Sequence, residues 1–202
     1  MTLIKSISGF RGTIGGAPDE NLTPIDVVKF SSAYGKWILS EGQGKLIVIG
    51  RDARLSGRMV SDLVCATLQG MGLDVLNLGL STTPTVEMAV MMEKAAGGII
   101  LTASHNPKQW NALKMLNSRG EFISAAEAEK VLEIAEKQDF EFADIQSLGK
   151  YNEDNSYIQK HIDAILKLPL VDVKAITEKK FKIVVDAVNS SGGIAVPMLL
   201  KA

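Results

Sequence analysis

The sequence predicts an α/β protein: a three-layer α/β/α domain with a mostly parallel mixed sheet, followed by the start of a second similar α/β domain. Two observations carry this. Between residues 23 and 102, short apolar runs rich in β-branched residues alternate with longer stretches whose apolar positions recur every three or four residues. After a polar stretch at 138–155 the alternation resumes with a helical pattern and another apolar run at 181–186. Such alternation favours parallel pairing with helices on both faces, and sheets of this kind bind ligands beyond the carboxyl ends of their strands.

Thr23-Pro24-Ile25-Asp26 supplies a capping threonine, a proline suited to the first helical position and an acid in the first turn. The helix it opens is expected to run to about Ser40, with Val27, Phe30, Tyr34, Trp37 and Ile38 on one buried face and Gly42 and Gly44 at its end. Leu46-Ile47-Val48-Ile49 reads as a buried strand leading into the polar loop Gly50-Arg51-Asp52-Ala53-Arg54-Leu55-Ser56-Gly57. Val60, Leu63, Val64, Thr67, Leu68 and Met71 mark one face of the next helix, and a strand over 73–78 follows. Thr83-Pro84 repeats the threonine–proline start, for a helix reaching about Ala96. Gly97-Gly98 then releases the chain into the strand Ile99-Ile100-Leu101-Thr102. Residues 113–116 add a strand, and Ser124-Ala125-Ala126-Glu127 is a capping box for a helix ending near Lys137.

Residues 1–140 are therefore assigned to the first domain, 141–154 to a linker and 155–202 to the beginning of a second domain. That second unit is expected to hold a helix over 155–168, a buried strand over 181–186 and a helix opening at Asn189-Ser190-Ser191-Gly192-Gly193. One strand and two helices cannot cover both faces of a sheet, so the second domain is expected to be cut short.

The 202 residues are 46% hydrophobic and 22% charged with a formal net charge of -1, which offers no broad basic surface for nucleic acid. Any phosphate site must be local. The single cysteine, Cys65, cannot form an intramolecular disulfide and reads as a small buried hydrophobe within a helix. The N-terminus lacks the apolar core of a secretory signal, and no apolar run is long enough to span a bilayer. The expectation is a cytoplasmic protein with no membrane and no nucleic-acid partner. Met88, Met91 and Met92 read as core filling, and His161 as a surface residue.

The stretch 97–114 carries the chemistry. Thr102-Ala103-Ser104-His105-Asn106-Pro107 puts a hydroxyl, an imidazole and an amide just past a buried strand, a composition suited to binding phosphoryl oxygens through side chains and backbone amides. Serine, histidine, asparagine and proline are also ordinary turn residues, so composition alone leaves a plain strand-end turn open beside a site.

The string Thr102-Ala103-Ser104-His105-Asn106-Pro107 resembles the phosphoserine loop of the α-D-phosphohexomutases, the family of phosphoglucomutase and phosphomannomutase. Ser8-Gly9-Phe10-Arg11-Gly12-Thr13 and the 50–57 loop match in the same order, and Val184-Val185-Asp186-Ala187-Val188-Asn189 looks like the opening of that family's second domain. The resemblance implies a phosphate carried on Ser104, which passes to a hexose monophosphate to give a bound hexose 1,6-bisphosphate. The sugar then turns over and its other phosphate returns to Ser104. It further implies a Mg2+ ion bound through the Ser104 phosphate, and hexose 1,6-bisphosphate as activator and phosphoryl donor. Lys114 matches the lysine assigned to proton transfer or charge stabilisation, and His105 the histidine expected to contact substrate or phosphate. Arg11, Asn106 and Ser8 fall at phosphate- or substrate-binding positions.

The family has four domains, and the chain resembles the first and the beginning of the second. The aspartate-rich metal loop and the sugar-reading loops have no counterpart, and no Asp-x-Asp-x-Asp string occurs. The missing C-terminal domains of the parent chain are thus expected partners, and these residues alone are expected to lack turnover. Where the family reads Asn-Gly before the lysine, this sequence has Asn111-Ala112, and alanine resists positive φ, so a shifted turn is expected there. Arg51 and Arg54 stand outside the expected catalytic set, as braces paired with Asp52 or with helix ends. Three other readings stand beside a hexose phosphate mutase. They are an amino-sugar phosphate mutase, a non-catalytic phosphosugar-binding module and, weakest, a serine hydrolase, which the absent Gly-x-Ser-x-Gly elbow disfavours.

Overall fold

The computed structural model describes residues 1–6 and 9–202. Seven strands, β1 (Ile4–Ser6), β2 (Gly9–Thr13), β3 (Leu46–Arg51), β4 (Asp74–Leu80), β5 (Gly97–Leu101), β6 (Trp110–Leu116) and β7 (Tyr151–Glu153), form one sheet in the order β1-β2-β6-β5-β3-β4-β7. β5, β3, β4 and β7 run parallel, whereas β6 pairs antiparallel with both β5 and β2, and β1 antiparallel with β2. The mixed, mostly parallel sheet expected from the alternation is present. Its parallel strands end on one edge, and because β6 is reversed, that edge also holds the start of β6 and the end of β2.

Helices α1 (Pro24–Glu41), α2 (Gly57–Gly70) and α4 (Ala125–Lys137) cover one face, and α3 (Thr83–Met92) and α5 (Tyr157–Leu166) the other. α1 begins as its sequence requires. Thr23 accepts from the backbone N–H of Asp26, whose carboxylate accepts from the N–H of Thr23 at 3.0 Å. Ser124 and Glu127 form the same reciprocal cap on α4. The first core joins Phe10, Phe30, Tyr34 and Trp37 to Ile47, Ile49, Ile99 and Leu113, with the rings of Phe10 and Phe30 stacked at 4.3 Å. The second is smaller and joins Val48, Leu76, Ile100 and Leu116 to Val86, Val90 and Tyr157. Cys65 is buried in α2 as expected.

Several local expectations change. Thr82, not Thr83, caps α3, because its hydroxyl reaches the N–H of Thr85 and leaves Pro84 in the first turn, where its missing N–H costs nothing. α3 stops at Met92, short of Ala96. Met91 and Met92 are 48% and 38% exposed rather than core filling, since they lie on the side of α3 turned away from the sheet.

The stretch read as a linker, 141–154, carries β7, which extends the sheet beside β4 with Leu76 opposite Asn152. α5 packs on α3: Tyr157 is 4% exposed and donates to Glu93 Oε1 at 2.5 Å, and His161 Nδ1 lies 3.0 Å from Thr85 Oγ1. His161 is therefore half-buried instead of on the surface, and burial lowers its pKa.

Residues 181–186 form no strand. Phe181, Ile183 and Val184 are 65%, 56% and 98% exposed. A strand needs a neighbour to pair its N–H and C=O groups, and among the described residues no strand pairs with this run. Two helices flank it, α6 (Val173–Lys179) and α7 (Gly192–Lys201). Among the described residues no helix is long and apolar enough to cross a membrane.

Candidate active site

Ser104 sits on the loop between β5 and β6, beyond the carboxyl end of the parallel strands. It is exposed, and its φ of +53° places it in the left-handed region, unusual for a residue with a side chain. Its N–H donates to Thr102 Oγ1 at 3.1 Å, and the N–H of Asn106 donates to the carbonyl of Ala103 at 3.0 Å, closing a tight turn around it. Among the described residues its Oγ has no hydrogen-bond partner, so the hydroxyl stands free at the turn's apex. His105 beside it is exposed and Asn106 half-buried.

Arg11 and Lys114 lie on neighbouring strands. Arg11 pairs with Ala112 across β2 and β6, and Lys114 with Ile100 across β6 and β5. Directly paired residues share a face, as do residues two apart, so both side chains lie on the α3 side of the sheet. Phe10, Leu113 and Met115 occupy the opposite face. Lys114 Nζ lies 5.9 Å from the centroid of the Phe122 ring. Arg11 Nε is buried, and among the described residues it has no hydrogen-bond partner. A buried donor of this kind is costly unless something accepts from it, and an anion offsets that cost. Ala112 lies in regular strand and not at positive φ, so the exchange of glycine for alanine displaces no turn and the register of Lys114 is that of an ordinary ladder. Ser8 lies outside the described residues.

A second loop, 52–56 after β3, braces the first. Arg54 pairs with Asp52 at 3.1 Å and reaches across to the carbonyls of Ser104, Asn106, Pro107 and Trp110. Asn111, fully buried, donates from Nδ2 to Ser56 Oγ at 2.9 Å. Bracing through Asp52 is the role the sequence suggested for Arg54. Its attachment to the serine loop was not visible, because the partners are backbone carbonyls some fifty residues away. The available signal was the Asp52-x-Arg54 spacing on a loop at the same strand edge. Among the described residues no group of three His, Cys, Asp or Glu side chains is placed to hold a metal ion. The chain's own carboxylates thus form no Mg2+ cage, and Asp52 is already engaged by Arg54 and Thr102.

A rim of loops at the carboxyl edge of a three-layer α/β/α sheet, carrying a free hydroxyl, is where domains of this class bind small molecules. The chain belongs to the phosphoglucomutase/phosphomannomutase family, whose α/β/α domain I matches residues 4–142. It is similar to a phosphoglucomutase/phosphomannomutase of Thermococcus kodakarensis, at 34% identity over 94% of this chain and 42% of the relative. A probable phosphoglucosamine mutase of Methanosphaera stadtmanae is also 34% identical, over 98% of this chain and 43% of its own. The chain thus spans less than half the length of these relatives. Among solved structures, a putative phosphomannomutase from Thermus thermophilus superposes with a TM-score of 0.70 at 31% identity, covering 88% of this chain and 38% of that one. A Paramecium phosphoglucomutase, parafusin, in its open form, superposes with a TM-score of 0.75 at 16% identity over 99% of this chain and 42% of its own, a likeness of fold alone.

Proposed function

We propose that these residues are the phosphoryl-carrying part of a hexose phosphate mutase that interconverts hexose 1-phosphate and hexose 6-phosphate, with Ser104 as the carrier. The observation that supports it most is the free, exposed Ser104 hydroxyl held at positive φ on the loop past β5. When phosphoserine gives up its phosphoryl group, the bond between phosphorus and Ser104 Oγ breaks as a sugar hydroxyl oxygen bonds to phosphorus. The hydroxyl proton leaves to a base, and Oγ takes a proton to become serine again. Transfer from the second phosphate of the bisphosphate reverses these steps.

In this reading Lys114 handles the proton or stabilises charge, His105 contacts substrate or phosphate, and Arg11, Asn106 and Ser8 bind phosphoryl oxygens. The buried, unpartnered Nε of Arg11 fits an anion-binding role. For Mg2+ the only ligand we propose among these residues is an oxygen of the Ser104 phosphate. Turnover is proposed to need the further domains that the longer relatives carry. Amino-sugar phosphates are a second substrate reading, favoured by the names of the M. stadtmanae relative and of a phosphoglucosamine/phosphogalactosamine mutase of Sulfurisphaera tokodaii, 30% identical over this chain.

Intact-mass measurement on the protein as its full reading frame encodes it, before and after incubation with glucose 1,6-bisphosphate, tests the reading. The expected result is a gain of one phosphate on Ser104, lost on addition of hexose monophosphate and absent in Ser104→Ala. A protein that takes no phosphate at Ser104 under any condition refutes it.

A further inference from the structure

The loop that presents Ser104 is held by a side chain with no place in the phosphate chemistry. Arg54 Nη1 donates to the carbonyls of Pro107 at 2.9 Å and Trp110 at 3.0 Å. Its Nη2 donates to those of Ser104 at 2.8 Å and Asn106 at 2.9 Å, and its Nε to Asp52 Oδ2 at 3.1 Å. A guanidinium has five N–H donors in a fixed planar fork, and these five bonds use every one. No donor remains for a phosphate oxygen, and the side chain is only 10% exposed.

Asp52 completes the lock. Its Oδ1 accepts from the backbone N–H of Arg54 at 3.0 Å, and its Oδ2 also accepts from Thr102 Oγ1 at 2.7 Å. Thr102 Oγ1 in turn accepts from the N–H of Ser104 at 3.1 Å. The network therefore grips the carbonyl of Ser104 through Arg54 and its N–H through Thr102, at a residue whose φ of +53° a free chain disfavours.

We propose that Arg54 is a positioning residue for phosphoryl transfer: by holding four carbonyls of the 104–110 loop it fixes the direction of Ser104 Oγ without touching the phosphate. The proposal rests on the phosphoserine reading above. In-line transfer is sensitive to placement, and a shift of about 1 Å at a reacting atom lowers a rate by roughly 100-fold. Lysine keeps the charge but has three donors and no planar fork, so it cannot span four carbonyls.

The test is Arg54→Lys in the complete protein, read by mutase kinetics and by amide hydrogen exchange. The expected result is a kcat lower by about 100-fold with KM for hexose phosphate within about twofold, the pattern of a lost transition-state alignment. Exchange should quicken at residues 103–111 while β3 and β4 stay protected. A folded Arg54→Lys protein with wild-type kcat overturns the proposal, as does a raised KM at unchanged kcat, which would mark a phosphate ligand. Should Arg54→Lys fail to fold, Thr102→Val decides. It removes the link from Asp52 to the Ser104 N–H and leaves Arg54 in place, so kcat should fall about tenfold at unchanged KM, and wild-type kcat overturns the proposal. A wild-type protein that takes no phosphate refutes the phosphoserine reading and this proposal together. Phosphorylation of wild type and both variants at equal rates refutes this proposal alone.

Discussion

Gly97 opens β5, the strand that carries the Ser104 loop, and a methyl group there has nowhere to go. A Cβ at this position would fall against Tyr34 Oη, closer than any stable non-bonded contact, and 2.7 Å from the carbonyl oxygen of Leu116 and 2.8 Å from Ile38 Cδ1. Tyr34 is fully buried; its hydroxyl donates to the Leu116 carbonyl at 2.7 Å and lies 3.2 Å from that of Gly98, tying β5 to β6. Burial pushes its pKa far up, so it stays protonated and a donor. Gly97→Ala must displace this ring. Overpacking costs about 1–3 kcal/mol and a broken buried hydrogen bond another 1–3 kcal/mol, for roughly 4 kcal/mol together. In a chain of this size each kcal/mol lowers the melting temperature by about 2–4 °C, so a fall of roughly 8–16 °C is expected. Tyr34→Phe alone should cost about 1–2 kcal/mol, the desolvated carbonyl it leaves behind. In the double variant the clash with the hydroxyl is gone and only those with Leu116 and Ile38 remain. Urea titration of the four proteins should therefore show a double-variant loss about 2 kcal/mol smaller than the sum of the singles. Additivity within about 0.5 kcal/mol, or a Gly97→Ala protein as stable as wild type, would refute the packing argument.

Two further outcomes follow from buried groups away from the site. Burial pushes the Cys65 thiol up to about 11, with Ser61 Oγ 3.9 Å from its sulfur, so a thiol reagent at neutral pH should label it only on unfolding. Rapid labelling of the native protein would show that α2 is not packed as described. Burial lowers the His161 pKa below 6.5, so the unfolded chain binds this proton more readily than the folded one. Its contribution is present above the unfolded pKa and is lost as pH falls through the lower folded value. His161→Gln should flatten the decline in urea midpoint between about pH 7 and 5, and an unchanged decline would place its origin elsewhere.

The parts of the fold readable from the chain alone are those with local causes. Thr23, Pro24 and Asp26 cap α1 through contacts within one turn, and Ser124 and Glu127 do the same for α4. The runs at 46–49 and 99–101 become central strands because a strand buried on both faces must be apolar throughout. The specific string around Ser104 and the order of its companions were enough to point to the family to which the chain belongs.

Other features depended on what a segment meets. β7 is a polar triplet, Tyr151-Asn152-Glu153, with no pattern of its own; it is a strand because the edge of β4 is there to pair with it. The run at 181–186 is the converse, apolar and β-branched yet unpaired among the described residues. Thr83 reads as the cap from its place before Pro84, yet Thr82 caps α3, because once the backbone enters the helix it is the Thr82 hydroxyl that accepts from the N–H of Thr85. At the site, Ser104, His105 and Asn106 were legible as a contiguous string.

The sequence by itself determined the caps of α1 and α4, the central strands β3 and β5, the family and the residue that carries the free hydroxyl, because each is written in neighbouring residues. Only the tertiary structure decided that β6 runs backwards, bringing Arg11 and Lys114 to one face, and that Arg54 spends all five donors on the serine loop and on Asp52. The reason is physical: a side chain that bonds to backbone carbonyls recognises a shape and not a residue type. Nothing in the string of letters around Ser104 records it.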